Sequence, residues 1–283
     1  MKLTNKSIIL LAVLLSIFCL TGCKNQKVIK VSEAEEKYWN TLSSNVVILY
    51  KQARYNEAYK YADEALKAAK HIYGDNHPKV AASLSNIAEI YRANGNYAEA
   101  ESLYKQALKI DEKSLGTNHL DTAKDLNNLA VLYRVLGKLP EAETLNKKSL
   151  KIREKLLGKN HPEVAISLSN LGVIYRVQGK YKEAEPLFIK AISIREKAFG
   201  KEHPDVAISL NNLAEMYSAE GKYTQAEPLF KRSIVILEKT LGKGHPNVVG
   251  VMKNLSAMYK NMGKNDLAQA LDKNVITASP KKH

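Results

Sequence analysis

Five histidines, His77, His119, His161, His203 and His245, stand 42 residues apart, and the text between them recurs with light editing. A fixed period of this length dictates an array of stacked units. In the unit from His161 to Glu202, Val164, Leu168, Leu171 and Tyr175 recur at i, i+4, i+7 and i+11, one stripe of an amphipathic helix. Pro162 suits the first helical turn and Glu163 the positive end of the helix dipole. Gly179 ends that helix, and a second is expected from about Lys180 to Lys197, with Ala184, Phe188, Ala191 and Ile192 on its buried side. Pro186, a turn inside it, predicts a lost hydrogen bond or a slight bend.

Small residues recur where the two helices should cross. Ala88, Ala130, Gly172, Ala214 and Ser256 share one position, and Ala58, Ala100, Ala142, Ala184, Ala226 and Ala268 share another. Short side chains let helix axes approach closely. Tyrosines 91, 133, 175, 217 and 259 form a third column, and a glycine at 95, 137, 179, 221 and 263 marks the turn. This motif, LxNLAxxYxxxGxYxEAExLxxxALxIxEKxLGxxHP, resembles the tetratricopeptide repeat in the long form seen in kinesin light chains. The resemblance covers residues 36–273 and implies an all-α, right-handed superhelical solenoid of five full repeats and a truncated sixth. The first repeat is the most divergent, with Leu49 in the tyrosine column, Ala53 at the turn and the only tryptophan, Trp39. Terminal units lack one neighbour and commonly depart from the pattern. A polar tail, 274–283, is expected to stay loose.

Residues 1–22 differ in kind. Lys2 and Lys6 precede an apolar run from Ile8 to Leu20, too short to span a bilayer, as in a secretory signal. Leu20-Thr21-Gly22-Cys23 resembles the lipobox of bacterial lipoproteins, which implies cleavage before Cys23 and acylation of its thiol. Two or three acyl chains anchor a protein where one holds only marginally. Lys24, which is not aspartate, implies by the same resemblance the periplasmic face of the outer membrane. Residues 23–35 read as lipidated cysteine and tether, and Ser32 with Glu35 as a capping box opening the first helix. Cys19 falls in the leader and Cys23 is taken by lipid, so no thiol is left for a disulfide, a metal or a nucleophile.

Catalysis finds no support. Histidines in separate repeats should lie about 15–20 Å apart, two helix spacings of 8–10 Å, too far to share a metal. They read as loop residues that pack or hydrogen-bond at helix starts. The acids around Glu183 and Glu185 recur in most repeats and read as solvated faces. There is no phosphate-binding glycine loop, nucleophile elbow or HExxH, and no cofactor is expected.

What remains is a surface. The resemblance implies that the first helix of each pair lines a concave wall. Asn86, Asn128, Asn170, Asn212 and Asn254 form one column there; each amide can meet the backbone of an extended peptide or tie its helix to the next repeat. Arg92, Arg134, Arg176 and Lys260, interrupted by Ser218, form a second column, a row suited to carboxylates if it faces inward and a set of solvated rim residues otherwise. Ser85, Asn127, Ser169, Asn211 and Lys253 lie between, and Val131, Val173, Val177, Ile166 and Ile208 make the middle of the wall apolar. Lys124, Asn128 and Asn170 match part of a carboxylate clamp, but Ile208 and Asn212 replace its remaining pair, so an internal peptide segment fits better.

Net charge is +14, and +12 without residues 1–22, which carry two lysines and no acid. An exported lipoprotein rarely meets nucleic acid, so acidic protein segments, anionic lipid or cell-wall polymer are the expected counterparts. The sequence therefore predicts a monomeric, lipid-anchored envelope adaptor that binds a protein or peptide segment. A self-associating structural lipoprotein and a peptidoglycan or acidic-polymer binder are the alternatives.

Overall fold

In the computed structural model, residues 31–278 are described, so the expected leader, Cys23 and most of the expected tether lie outside them. Twelve helices and no strand occur among the described residues, in six antiparallel pairs. The pairs are α1 (Glu33–Lys51) with α2 (Tyr55–Tyr73), α3 (Pro78–Ala93) with α4 (Tyr97–Ser114), and α5 (Leu120–Val135) with α6 (Leu139–Leu157). They continue as α7 (Pro162–Val177) with α8 (Tyr181–Phe199), α9 (Pro204–Ala219) with α10 (Tyr223–Leu241), and α11 (Pro246–Asn261) with α12 (Asn265–Ala278). None of these helices is long and apolar enough to cross a membrane.

Each first helix from α3 onward starts on the recurring histidine. The imidazole Nδ1 of His77, His119, His161, His203 and His245 accepts the backbone N–H two residues on, at 3.1–3.2 Å. The ring thus acts as the N-cap. Ser32 does the same for α1: its hydroxyl accepts from the Glu35 N–H, and the Glu35 carboxylate accepts from the Ser32 N–H, completing the capping box. The helix begins at Glu33, where the Ser32 capping box expects it, three residues before the start of the first repeat at 36.

Within a pair, size complementarity sets the distance. The alanines at 58, 100, 142, 184 and 226 are wholly buried. Gly172 lies so close to Phe188 that a Cβ there would meet the ring at 2.8 Å. The matching positions elsewhere are Ala88 with Tyr104, Ala130 with Asn146 and Ala214 with Phe230, small against large except where Asn146 is itself polar. In the last pair, Ser256 donates to Asp272 at 2.7 Å.

Between pairs, the tyrosine column reaches back one repeat. Tyr133, Tyr175, Tyr217 and Tyr259 donate to Glu101, Glu143, Glu185 and Glu227 at 2.7–3.2 Å. These glutamates are half-buried, which corrects the reading of that acid pair as solvated: Glu183 is exposed, but Glu185 is an inter-repeat acceptor.

Two boundaries move. The second helix of the central unit runs two residues past the expected Lys197 and continues through Pro186. The last helix continues to Ala278, beyond 273, because buried Val275 extends its apolar stripe. First helices of successive repeats approach one another closely across the array, whereas second helices stand farther apart, α8 and α10 being linked by the Arg232–Glu196 side-chain pair at 2.7 Å. The first helices α1, α3, α5, α7, α9 and α11 therefore form the tighter layer, the inner wall of a solenoid.

Candidate functional site

The asparagine column on this wall divides into two kinds. The Asn170 amide donates to Asn127 Oδ1 at 2.8 Å, and Asn254 donates to Asn211 Oδ1 at 3.0 Å and to Glu215 at 2.8 Å. Asn86, Asn128 and Asn212 are half-buried and their amides make no hydrogen bond among the described residues. The residue 43 positions earlier decides which. Asn127 and Asn211 precede the tied pair, whereas Ser85 and Ser169 precede Asn128 and Asn212. A serine hydroxyl is too short to serve, and Ser85 is already spent on Asp125 at 2.8 Å. Asn127 and Asn211, placed on the wall by the sequence, are inter-repeat ties, the former buried and also receiving Asn146 at 3.4 Å.

The arginine column divides in the same way. Arg92 is clamped by Glu89, three residues before it, through two N–H groups. Glu89 also accepts the hydroxyls of Tyr50 at 2.7 Å and Tyr104 at 2.6 Å. Burial alone pushes the Glu89 carboxyl up, yet the donors from Arg92, Tyr104 and Tyr50 hold it below its ordinary value. Arg176 has Val173 three residues before it and borrows Glu215 from the next repeat, at 3.2 Å. Lys260 pairs with Asp272 at 2.8 Å.

Arg134 has neither recourse. Its own repeat offers Val131 where Arg92 has Glu89, and the next offers Val173 where Arg176 finds Glu215. It is half-buried and makes no ion pair or hydrogen bond among the described residues. Burial, then Arg176 and Arg92 nearby, lowers its pKa, with the more distant Glu215 carboxylate opposing, and the arginine remains charged. One turn and a half before it on α5 lies the unpartnered Asn128. Beside it are the half-buried Val131 and Val173, with Val135, Ile166, Val177 and Ile208 exposed. The middle of the wall thus combines one cation with no direct ion-pair partner among the described residues, free amides and apolar contact surface.

Lys124 is exposed and lies at the edge of a cavity of about 230 Å³. Among the described residues no three His, Cys, Asp or Glu side chains are grouped so as to hold a metal ion. Glu89 and Glu215, which the sequence places beside the two columns, act as counter-charges, and the sequence reading missed a buried pair, Asp111 and Asp125. The signal for the aspartate pair lies in a departure from the 42-residue columns: acids at 111 and 125 where the next two repeats carry arginine and serine.

Stacked helix pairs with a polar inner layer define a helical-repeat protein, a class of non-enzymatic interaction scaffold in general. The tetratricopeptide repeat family profile matches residues 40–113, 80–155, 121–197, 163–239 and 205–280, and the chain belongs to that family. Among solved structures it is similar to the kinesin light chain-type, nearly identical TPR-like repeats of Podosopora anserina, at 26% identity and a TM-score of 0.58, covering 74% of this chain and 98% of that one. It is similar in fold to BtubC (BKLC) from P. vanneervenii, at 22% identity and a TM-score of 0.61, covering 89% of this chain and 97% of that one. A Rap protein in complex with competence and sporulation factor matches at 18% identity and a TM-score of 0.63, covering 85% and 74%. A search of curated proteins returns no match.

Proposed function

We propose that this tetratricopeptide solenoid is a lipid-anchored adaptor of the bacterial envelope that holds an extended, acidic protein segment along its inner wall. The observation that carries the groove is Arg134, a half-buried guanidinium whose two structural sources of a counter-ion are both valines. A carboxylate of the bound segment supplies the missing charge, and a bidentate pair there is stronger than a neutral hydrogen bond. Asn128 and Asn212, free on either side, take backbone groups, while Val131, Val173 and Ile208 seat side chains. The Rap protein solved with competence and sporulation factor lends the fold a precedent for carrying a ligand. The anchor rests on Leu20-Thr21-Gly22-Cys23, and the short tether keeps the solenoid within about 25–30 Å of its membrane.

Two experiments test this reading. A photo-crosslinker at residue 131 in living cells is expected to capture a discrete partner, and Arg134→Glu to abolish that capture while the helical content is unchanged. Capture unaffected by Arg134→Glu together with Asn128→Ala counts against the groove. For the anchor, Cys23→Ser is expected to move the protein from the membrane to the soluble fraction and to stop incorporation of labelled fatty acid.

A further inference from the structure

At two junctions between repeats, an arginine near the end of a second helix meets a serine fourteen positions on, in the following first helix. At the junction of α6 with α7 these are Arg153 and Ser167, and the Arg153 Nη1 donates to the Ser167 hydroxyl at 2.8 Å and to the Glu163 carbonyl at 3.3 Å. Its Nε lies 3.6 Å from the Glu163 carboxylate. At the next junction Arg195 donates to Ser209 and, at 3.4 Å, to the Asp205 carbonyl. Both arginines are buried, 3% and 9% exposed.

The junction of α4 with α5 has the same frame and the opposite charge. Asp111 stands in the arginine position, Asp125 in the serine position, and Asp121 keeps the acid that pairs with arginine elsewhere. Asp111 and Asp125 are each only 3% exposed. Asp125 Oδ1 accepts from Ser85; Asp111 and Asp125 can hydrogen-bond each other through a shared proton, and no other group donates to Asp125 Oδ2 or Asp111 Oδ1. Both residues line the cavity of about 230 Å³, together with Asp121, Lys124 and the Trp39 ring. At about 30 Å³ per water, that volume holds several waters or one long side chain. Once the shared proton is lost, carboxylate oxygens at 3% exposure are costly unless a cation or donors reach them. Lys79, also on the lining, is engaged by the Trp39 ring at 4.1 Å and by Glu36 at 3.7 Å. Lys124 is exposed and makes no ion pair.

We propose that this cavity takes the guanidinium of an arginine side chain from a bound protein, in the place that Arg153 and Arg195 fill from within at the next two junctions. The planar fork matches the carboxyls of Asp111, Asp121 and Asp125, the guanidinium displacing to solvent the proton that Asp111 and Asp125 share. Asp125 and Arg134 both lie on α5, nine residues or about 13 Å of helix apart, within reach of one extended segment. The site stands on its own geometry and does not depend on Arg134.

Trp39 is the only tryptophan and lines the cavity, so its fluorescence reports occupancy directly. Titrating the full chain with Nα-acetyl-arginine amide at constant ionic strength is expected to give a saturable change with a millimolar midpoint. The citrulline counterpart, same shape without charge, is expected to give none. Asp111→Asn with Asp125→Asn, which keeps volume, should weaken the response at least tenfold. Asp111→Arg with Asp125→Ser, which rebuilds the neighbouring junction, should abolish it. An equal response to the citrulline compound, an unchanged midpoint in the Asn variant, or no saturable response in the parent protein overturns the proposal.

Discussion

The Arg176 guanidinium lies 3.2 Å from the Glu215 carboxylate contributed by the next repeat, and the residue equivalent to Glu215 for Arg134 is Val173. Val173→Glu should therefore give Arg134 an internal partner. A half-exposed pair of this kind is worth about 0.2–1 kcal/mol, so a small rise in denaturant midpoint is expected. The same substitution should weaken an acidic ligand about as much as Arg134→Gln does, because both remove the unpaired charge. Chemical denaturation and partner capture, measured side by side, separate the two effects.

Each histidine cap serves its own helix through Nδ1, so the caps are expected to be lost one at a time. His161→Ala removes the acceptor for the Glu163 N–H and should cost about 1 kcal/mol, whereas His161→Asn, itself a capping residue, should cost a few tenths. Equal losses in both variants would mean that ring packing, not capping, is what the histidine supplies. The comparison is sharpest at His161 because His77 and His203 also stack on Tyr73 and Phe199.

Ala53 occupies the turn position that later repeats give to glycine, and it has the same left-handed backbone, φ 56° against 82° at Gly95. A side chain in that region costs about 1–2 kcal/mol. Part of this is recovered in Ala53→Gly, since glycine also gains freedom in the unfolded chain. The expected net gain is about 0.5–1 kcal/mol, and Gly95→Ala should lose a similar amount. Thermal unfolding of the pair of variants checks both signs.

The periodic part of this molecule was legible in the sequence because the same apolar stripe and small-residue columns recur at every unit. Gly172 against Phe188 is the clearest case: a position read as a crossing point is one where no Cβ fits. The chemistry of the wall was much less legible, since it lives in the departures from the period. Whether Asn128 is free depends on residue 85 being serine, and whether Arg134 is paired depends on residue 173 being valine. Each of those partners lies about one repeat away in sequence and becomes a neighbour only once the units stack. The division of Glu183 from Glu185, one exposed and one holding Tyr217, likewise needs the next repeat in place.

The Asp111–Asp125 junction makes a prediction about pH that is opposite in sign to ordinary acid denaturation. Burial, then the charge of Asp121, pushes Asp111 up to about 6; burial pushes Asp125 up to about 8, with the Asp111 charge adding to it and the Ser85 hydrogen bond opposing. The other charged groups around the pair are His119 and Lys124 on the α5 side and His77 and Lys79 on the α3 side. A carboxyl whose folded value lies above its unfolded value of 3.8 holds its proton longer in the folded state. Stability is then greatest below the unfolded value and is lost as pH rises through the folded value, here between about pH 4 and 8. His77 acts the other way: burial, then Lys79, depresses it below 6.5, so its contribution is lost as pH falls below that point. Above pH 7 the aspartate pair therefore dominates. The melting temperature should fall from pH 7 to 8.5, at about 2–4 °C for each kcal/mol lost in a chain of this size. Asp111→Asn with Asp125→Asn should flatten that slope, because neither side chain then titrates. A parent protein whose melting temperature is constant over this interval would place the two carboxyls in contact with solvent rather than inside the junction.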